Sequence, residues 1–183
     1  QNRVPKGLRV QLPPRPQSYI EFGLQYALNR LTILYDVMTE LYEQIKSFFQ
    51  SGDYSGARDF LNNTKQQFQD QWDYWYYLAH AERKIGNLAQ AEDFCKSSLE
   101  LTPDSQVANF EMGIIYQTKG DYKKATEHIK KVVEGFSEET EFSEKIDTLN
   151  SLALTYKMAK DTDNAFKYYN QALEVLVQEL YDW

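Results

Sequence analysis

Two histidines and one cysteine are the side chains of this sequence best suited to metal binding or nucleophilic chemistry. His80 and His128 fall in different helical segments with no cysteine nearby, which disfavours a zinc site because structural zinc needs four converging ligands. Cys95 stands at a small position of an amphipathic helix, so we expect it to be packed and unreactive. A single cysteine also excludes an internal disulfide. The sequence therefore predicts no metal site.

Recognisable catalytic motifs are missing from the chain. It has no glycine-rich phosphate loop, no G-x-S-x-G elbow, and no nucleophile with a base in a known arrangement. Aspartate and glutamate are plentiful, and we expect them to form the solvated faces of amphipathic helices. The sequence predicts that the protein is not an enzyme and binds no cofactor.

The elements that carry these residues are helical hairpins that repeat along the chain. From Trp72 to Pro103, apolar residues recur at steps of three and four, break at Gly86-Asn87 and then resume. Three such turns begin with a glycine every 34 residues, and an alanine follows each glycine by five residues: Gly52, Gly86 and Gly120, with Ala57, Ala91 and Ala125. A fourth copy keeps Ala165 but has Lys160-Asp161 at the turn. Small residues are expected where paired helices cross closely, so this period favours a helical repeat over an ordinary bundle.

This pattern resembles the tetratricopeptide repeat. The second copy carries most of the family pattern in Trp75, Leu78, Ala79, Gly86, Ala91, Cys95, Ser98 and Pro103. The resemblance implies an all-α fold, a right-handed superhelical solenoid of helix-turn-helix repeats. We expect four copies over residues 38–183, at about 38–71, 72–105, 106–145 and 146–183. Residues 134–144 are expected to form a lengthened acidic turn between the third and fourth copies.

The segment before the repeats has two parts. Residues 1–17 contain four prolines and four bases, which favours an extended basic arm, with a poorly ordered tail as the alternative. By charge alone, such an arm suits folding back on the chain's own groove, or reaching an acidic partner, a membrane or RNA. Residues 18–37 are predicted to be a leading helix or a degenerate half repeat, and whether residues 18–50 form one helix or two stays open. The wide apolar face of this segment predicts burial on two sides.

Composition and charge limit the classes of function. An apolar content of 42% is enough for one packed domain, and no stretch reaches the roughly 18 continuous apolar residues of a membrane span. Residues 1–20 hold four bases and no acid, so the remainder carries a net charge of −11, which disfavours nucleic acid as a partner. The first residue is glutamine, which suggests either that the sequence starts within a longer chain or that a targeting segment has been removed. We expect a soluble chain and leave its compartment open.

The resemblance also implies where a partner binds, because the first helices of successive tetratricopeptide repeats line a concave groove. Carrying the family's inward positions over to this chain yields an aromatic and aliphatic face with polar edges: Tyr42, Lys46, Phe49, Tyr76, His80, Arg83, Phe110, Ile114, Gln117, Asn150, Leu154 and Met158. The same mapping also includes further positions: Thr39, Gln50, Asp73, Lys84, Val107, Thr118, Asp147 and Lys157. Tyr42, Tyr77 and Glu111 occupy three places where chaperone-binding relatives carry Lys, Asn and Arg, which disfavours a clamp for acidic carboxyl tails.

We therefore expect a non-catalytic protein–protein interaction scaffold or assembly subunit that binds a partner segment in this groove. The alternative is a chaperone-type helper that transiently shields apolar segments of a client. A further alternative is that residues 1–35 of the same chain cover part of the groove. A second interface, with another chain or another copy, is expected at the C-terminal end, where the last helix has no polar cap: Leu176, Leu180, Tyr181 and Trp183.

Overall fold

The computed structural model describes the backbone of residues 17–181 and the side chains of residues 24–29, 32, 35 and 37–181. Every regular element within residues 17–181 is an α-helix, which confirms the predicted all-α class. The helices are α1 (Gln17–Ser51), α2 (Tyr54–Phe68), α3 (Trp72–Ile85), α4 (Leu88–Leu101), α5 (Gln106–Lys119), α6 (Tyr122–Glu134), α7 (Phe142–Met158) and α8 (Thr162–Tyr181). Among the described residues, no helix combines the length and the hydropathy that a membrane span requires.

The chain divides into two compact units, residues 1–47 and residues 48–183. The described part of the first unit is the larger part of α1, which is one continuous helix and not two. The prediction that its apolar residues are buried on two sides is wrong for the first turns whose side chains are described. Leu24, Leu28 and Tyr35 are all more than half exposed. The basic arm, residues 1–16, lies outside the described residues.

In the second unit, successive helices pack as antiparallel neighbours. Helices α3, α5 and α7 pack against α4, α6 and α8 respectively, and α2, α4 and α6 pack against the helix that follows each of them. The repeated alanines lie at these crossings, with Ala57, Ala91 and Ala125 fully buried and Ala165 only 4% exposed. One core cluster joins α3 to α6 and consists of Ala79, Ala91, Cys95, Met112, Ile115, Tyr116 and Ala125. Another joins α6 to α8 and consists of Ile129, Leu152, Tyr156 and Ala165.

Polar contacts also tie neighbouring pairs together. The Glu92 carboxylate on α4 accepts hydrogen bonds from Lys119 and, at 2.9 Å, from the Tyr116 hydroxyl, both on α5. Together with an ion pair to Lys96, these bonds lower the pKa of Glu92 to about 2. The Cys95 thiol donates to the Ala108 carbonyl oxygen at 3.2 Å, and burial raises its pKa to about 12. The expectation that Cys95 is packed is confirmed.

The interhelical turns explain the glycine period. Gly52, Gly86 and Gly120 have φ values of 74°, 103° and 80°, the left-handed conformation that ends a helix most readily at glycine. In the fourth copy Lys160 adopts the same conformation, with φ of 64°. The next amide, of Asp161, still bonds the Tyr156 carbonyl oxygen at 2.9 Å, as the Asp121 amide bonds Tyr116. The turn geometry is therefore kept with a residue that strains it.

This strain leads to a stability prediction. We expect Lys160→Gly to raise the free energy of unfolding by about 1 kcal/mol, because the left-handed conformation costs a residue with a Cβ atom about that much free energy relative to glycine. Lys157→Gly is the matched control, since Lys157 lies in the last turn of α7, where glycine costs about 1 kcal/mol. Urea unfolding followed by circular dichroism measures both changes. Equal destabilisation by the two substitutions would contradict the prediction.

The connection between α6 and α7 is the longest within the second unit. Residues 135–141 lie between the end of α6 at Glu134 and the start of α7 at Phe142, and most of them are exposed. Glu138, Glu139 and Glu141 all lie in this connection. The predicted lengthened acidic turn is confirmed.

Candidate functional site

Aromatic side chains from the end of α1 and from α3 form a half-buried cluster. Phe49 lies edge-on to His80, with ring centroids 5.1 Å apart, and its ring is 6.0 Å from that of Tyr77. Tyr76 is 5.1 Å from Tyr77 and 6.1 Å from His80. We call Phe49, Tyr76, Tyr77 and His80 the aromatic cluster. Three of its four members were among the predicted groove residues, and the structure brings them into contact.

A buried carboxylate anchors the polar side of this cluster. Glu111 on α5 is 3% exposed; its Oε1 accepts from Arg83 Nε at 2.5 Å, and its Oε2 lies 3.1 Å from His80 Nδ1. Arg83 Nη2 donates a second bond to Oε2 at 3.3 Å. Burial raises the pKa of Glu111, but the hydrogen bonds and charges of His80 and Arg83 outweigh it and hold the pKa below its usual value. Two predicted groove residues are thus committed to an internal ion pair.

Glu111 and Glu82 are exceptions to the expectation that the acids form the solvated faces of the helices. Glu82 is also 3% exposed, and its Oε2 accepts from Asn87 Nδ2 at 2.7 Å. Each carboxylate is buried together with a hydrogen-bond donor, which offsets the free-energy cost of removing it from water. The donors of Glu111 lie on another helix, 31 and 28 residues earlier in the sequence. The spacing of residues along α5 therefore could not predict that Glu111 is buried.

A cleft opens beside the cluster, between the N-terminal halves of α5 and α7. Its volume is about 370 Å³. Side chains from four helices line it: Tyr76 from α3; Gln106, Val107 and Phe110 from α5; Val132 from α6; and Ser143, Glu144, Asp147 and Thr148 from α7. We call this the α5–α7 cleft. Four of these residues were predicted as inward positions, namely Tyr76, Val107, Phe110 and Asp147, and five were not: Gln106, Val132, Ser143, Glu144 and Thr148.

The remaining predicted residues are spread over other parts of the structure. Ile114 is half-buried, and Gln117 Nε2 donates to Thr155 Oγ1 at 2.8 Å, which links α5 to α7. Asn150 is exposed, and Leu154 and Met158 are each 43% exposed, away from the cleft on the C-terminal half of α7. Tyr42 and Lys46 belong to the first unit, where Tyr42 is half-buried and Lys46 pairs with Glu43 at 3.9 Å.

The second histidine has a structural environment. His128 Nδ1 lies 3.0 Å from Asn109 Oδ1, and its ring stacks on that of Tyr116 at 5.7 Å. Burial, followed by the charge of Lys131, lowers the pKa of His128. No group of three or more metal-ligating side chains converges anywhere in residues whose side chains the structure describes.

The C-terminal helix exposes a row of apolar side chains. Leu176, Leu180 and Tyr181, which were predicted as a second interface, are 42%, 69% and 84% exposed, and Trp183 lies outside the described residues. The row also includes four residues that the sequence analysis did not single out: Phe166, Tyr169, Leu173 and Val177. Their spacing of three and four residues carried the signal that could have identified them.

Comparison with known proteins supports the same fold. Two tetratricopeptide repeat family models match residues 73–105 and 104–176, which together exceed half of the chain. No curated protein sequence gives a significant match.

Among solved structures, MamA aligns with a TM-score of 0.65 at 23% identity over 77% of this chain and 79% of MamA. MamA from Desulfovibrio magneticus RS-1 aligns with a TM-score of 0.66 at 18% identity, over 75% of each chain. YrrB, described as a tetratricopeptide repeat protein with an unusual peptide-binding site, aligns with a TM-score of 0.61 at 17% identity over 74% of this chain and 66% of YrrB. At these identities the structures establish a shared fold, and with the two family matches they show that the chain belongs to the tetratricopeptide repeat family.

Proposed function

We propose that this chain is a non-catalytic scaffold that binds a segment of a partner protein across the first helices of its repeats. The observation that carries the proposal is the contact between the aromatic cluster and the α5–α7 cleft, which share Tyr76. Flat aromatic side chains contribute large contact areas and have few rotamers to freeze on binding. YrrB, with the same fold, is described as having a peptide-binding site, which is consistent with this use of the fold.

The partly exposed state of these residues also supports the proposal. Tyr76 and Phe110 are half-buried, so each keeps an accessible surface while its position is held by the core. The Tyr76 hydroxyl is a donor at neutral pH, as tyrosine hydroxyls ordinarily are, and burial, aided by the charge of Glu111, raises its pKa further, to about 12. A partner carbonyl group is a suitable acceptor for that hydroxyl.

Capture of a partner from the native source tests the proposal. We expect Tyr76→Ala with Phe110→Ala to remove a partner that the wild type retains at fixed stoichiometry, because both side chains leave the proposed contact surface. The control is Tyr26→Ala with Tyr35→Ala, which removes two exposed aromatic side chains from α1, outside both proposed interfaces. Calorimetric titration with the purified partner then measures the loss of affinity. Retention by the first variant, once circular dichroism shows it folded, would reject the proposed face.

The same capture separates the scaffold from the chaperone-type alternative. A scaffold retains one partner at a constant ratio, whereas a chaperone-type helper retains several clients that competing apolar peptides release. Contact with a fixed partner is favoured by the internal ion pair of Glu111 with Arg83, which holds the cluster in one arrangement.

A second interface is proposed on α8, with a second copy of this chain as its occupant. In α6 the equivalent residues Ile129 and Val133 are buried and half-buried, whereas Tyr169 and Leu173 of α8 are 38% and 56% exposed. Apolar residues lie symmetrically about Leu173, at four residues (Tyr169, Val177) and seven residues (Phe166, Leu180) on either side. If a second α8 packed antiparallel to the first, the apolar residues of the two helices would therefore face each other at matching positions, as an isologous contact requires.

Sedimentation measurements test this second interface. We expect the wild type to form a dimer at micromolar concentrations and Leu173→Lys to be monomeric, because a lysine at the centre of the contact would bury an unpaired charge. Leu101→Lys is the control, since Leu101 on α4 is similarly exposed. A wild type that stays monomeric over the whole concentration range would exclude self-association through α8.

A further inference from the structure

The α5–α7 cleft has an apolar floor of a size suited to one bulky side chain. Val107, Phe110 and Val132 form that floor, and Val107 is 42% exposed while Val132 is only 2% exposed. The volume of about 370 Å³ lies near the lower end of the range for ligand pockets, about 300–1,000 Å³. The cleft therefore fits a side chain and its adjoining backbone and not a whole helix.

A polar group at the cleft has no hydrogen-bond partner among the residues that the structure describes. Thr148 is 3% exposed and lines the cleft, yet its hydroxyl makes no hydrogen bond within the described part of the chain. Among the described residues, every side-chain oxygen or nitrogen without solvent access has a hydrogen-bond partner. Because the Thr148 hydroxyl has none, it must be accessible from the cleft. A peptide group is a suitable partner, because this hydroxyl can both donate and accept.

The rim of the cleft is acidic. Glu144 and Asp147 lie three residues apart on the same face of α7, both are exposed, and neither forms an ion pair with the side chains that the structure describes. The nearest base in sequence, Lys145, lies over the Phe142 ring at 5.6 Å. Arg83, the base of the neighbouring cluster, is already paired with Glu111. The two rim carboxylates are thus available to an incoming cation.

From these three features we propose that the α5–α7 cleft selects a basic partner segment, in which an apolar side chain enters the cleft and a flanking lysine or arginine pairs with Glu144 and Asp147. The inference rests on the proposed function and adds the chemistry of the partner. The peptide backbone bonds the Thr148 hydroxyl, the apolar side chain supplies the buried area, and the cation supplies the selectivity.

Fluorescence anisotropy with three labelled synthetic peptides tests the selectivity. All three share a central Leu-Phe pair, which is flanked by lysines, by serines or by glutamates. Each exposed ion pair contributes at most about 1 kcal/mol, and two such pairs together correspond to about a tenfold difference in affinity. We therefore expect the wild type to bind the lysine peptide about tenfold more tightly than the serine peptide, and the glutamate peptide most weakly. Added salt should reduce the difference between the peptides.

Two charge-matched variants locate the effect. Glu144→Gln with Asp147→Asn neutralises the rim and should lose the tenfold preference while its affinity for the serine peptide is unchanged. Glu138→Gln with Glu139→Gln makes the same change in net charge in the connection between α6 and α7 and should keep the preference. Preference retained by the rim variant, or lost equally in the control variant, would overturn the inference, because the acidic body as a whole would then be responsible.

Phe110→Ala separates this inference from the proposed function. If the serine peptide binds the wild type and loses affinity in Phe110→Ala, the apolar part of the site stands, and three equal affinities would then overturn only the basic selectivity. If none of the peptides responds to Phe110→Ala, the proposed binding face itself fails. Self-association in sedimentation that is abolished by Phe110→Ala would also overturn the inference, because a second copy would then occupy the cleft.

Discussion

Replacing Arg83 with alanine is expected to lower the free energy of unfolding by about 3–5 kcal/mol, the range observed when one partner of a buried ion pair is removed. The cost arises because Glu111, whose side chain is 4% exposed, keeps its charge but loses the guanidinium that donates at 2.5 Å and 3.3 Å. His80 alone then faces the carboxylate. Chemical denaturation followed by circular dichroism measures the change.

The double variant Arg83→Ala with Glu111→Leu is the control for this prediction. It removes both charges and fills the space of Glu111 with an apolar side chain, so most of the lost stability should return. A double variant as unstable as Arg83→Ala would show that Arg83 acts through its packing and not through its charge.

The same ion pair makes stability depend on pH in the acid range. The folded-state pKa of Glu111 lies below its ordinary value of 4.5, so its contribution is fully present above that value and is lost as the pH falls through the folded pKa. We expect Glu111→Gln to flatten this part of the pH dependence, because the amide does not titrate. Denaturation at a series of pH values below 4.5 checks the direction, and an unchanged slope would contradict it.

The repeat period predicted the fold because the repeated small residues mark the places where the backbones of paired helices approach closely. Ala57, Ala91 and Ala125 are fully buried where helices cross, and no larger side chain fits there without moving a helix. The glycine turns follow from local conformation alone, since a left-handed residue at that point ends each first helix. Lys160 shows the limit of this rule: the left-handed turn is kept although the preferred glycine is absent.

The candidate site was only partly predictable, because its polar groups pair over long sequence separations. Family geometry indicated Tyr76 and Phe110, which do line the cleft. It could not show that Glu111 is buried, since that depends on His80 and Arg83, which lie on another helix. Side-chain pairing of this kind becomes visible only when the helices are placed in three dimensions.

Glu144 and Thr148 illustrate a second limit. Both lie on α7 near Asp147, which the family mapping does include, but they fall at helix positions that the mapping does not place on the concave face. Thr148 is nearly fully buried, but a threonine on an amphipathic helix does not by itself indicate burial. The rim of the cleft therefore emerged from the packing of α7 on α5 and α6, and its assignment as a binding feature is a proposal that the peptide experiments test.

Gly113 provides the second large stability prediction. A Cβ atom at Gly113 on α5 would lie 2.5 Å from Ile129 Cγ1 on α6, closer than packed carbon atoms allow. We expect Gly113→Ala to lower the free energy of unfolding by about 1–3 kcal/mol, because Ile129 is fully buried and cannot move aside without disturbing its neighbours. Thermal and urea unfolding both measure this change.

The Ile129→Ala background reverses the sign of this effect if the steric argument is right. Ile129→Ala alone should cost about 2–5 kcal/mol through the cavity that it leaves. In that background the added methyl group of Gly113→Ala meets no Cγ1 atom, and alanine is favoured over glycine within a helix by about 1 kcal/mol. Gly113→Ala should therefore stabilise the Ile129→Ala variant. Additive losses in the double variant would show that the glycine is required by the α5 backbone itself and not by the close approach of α6.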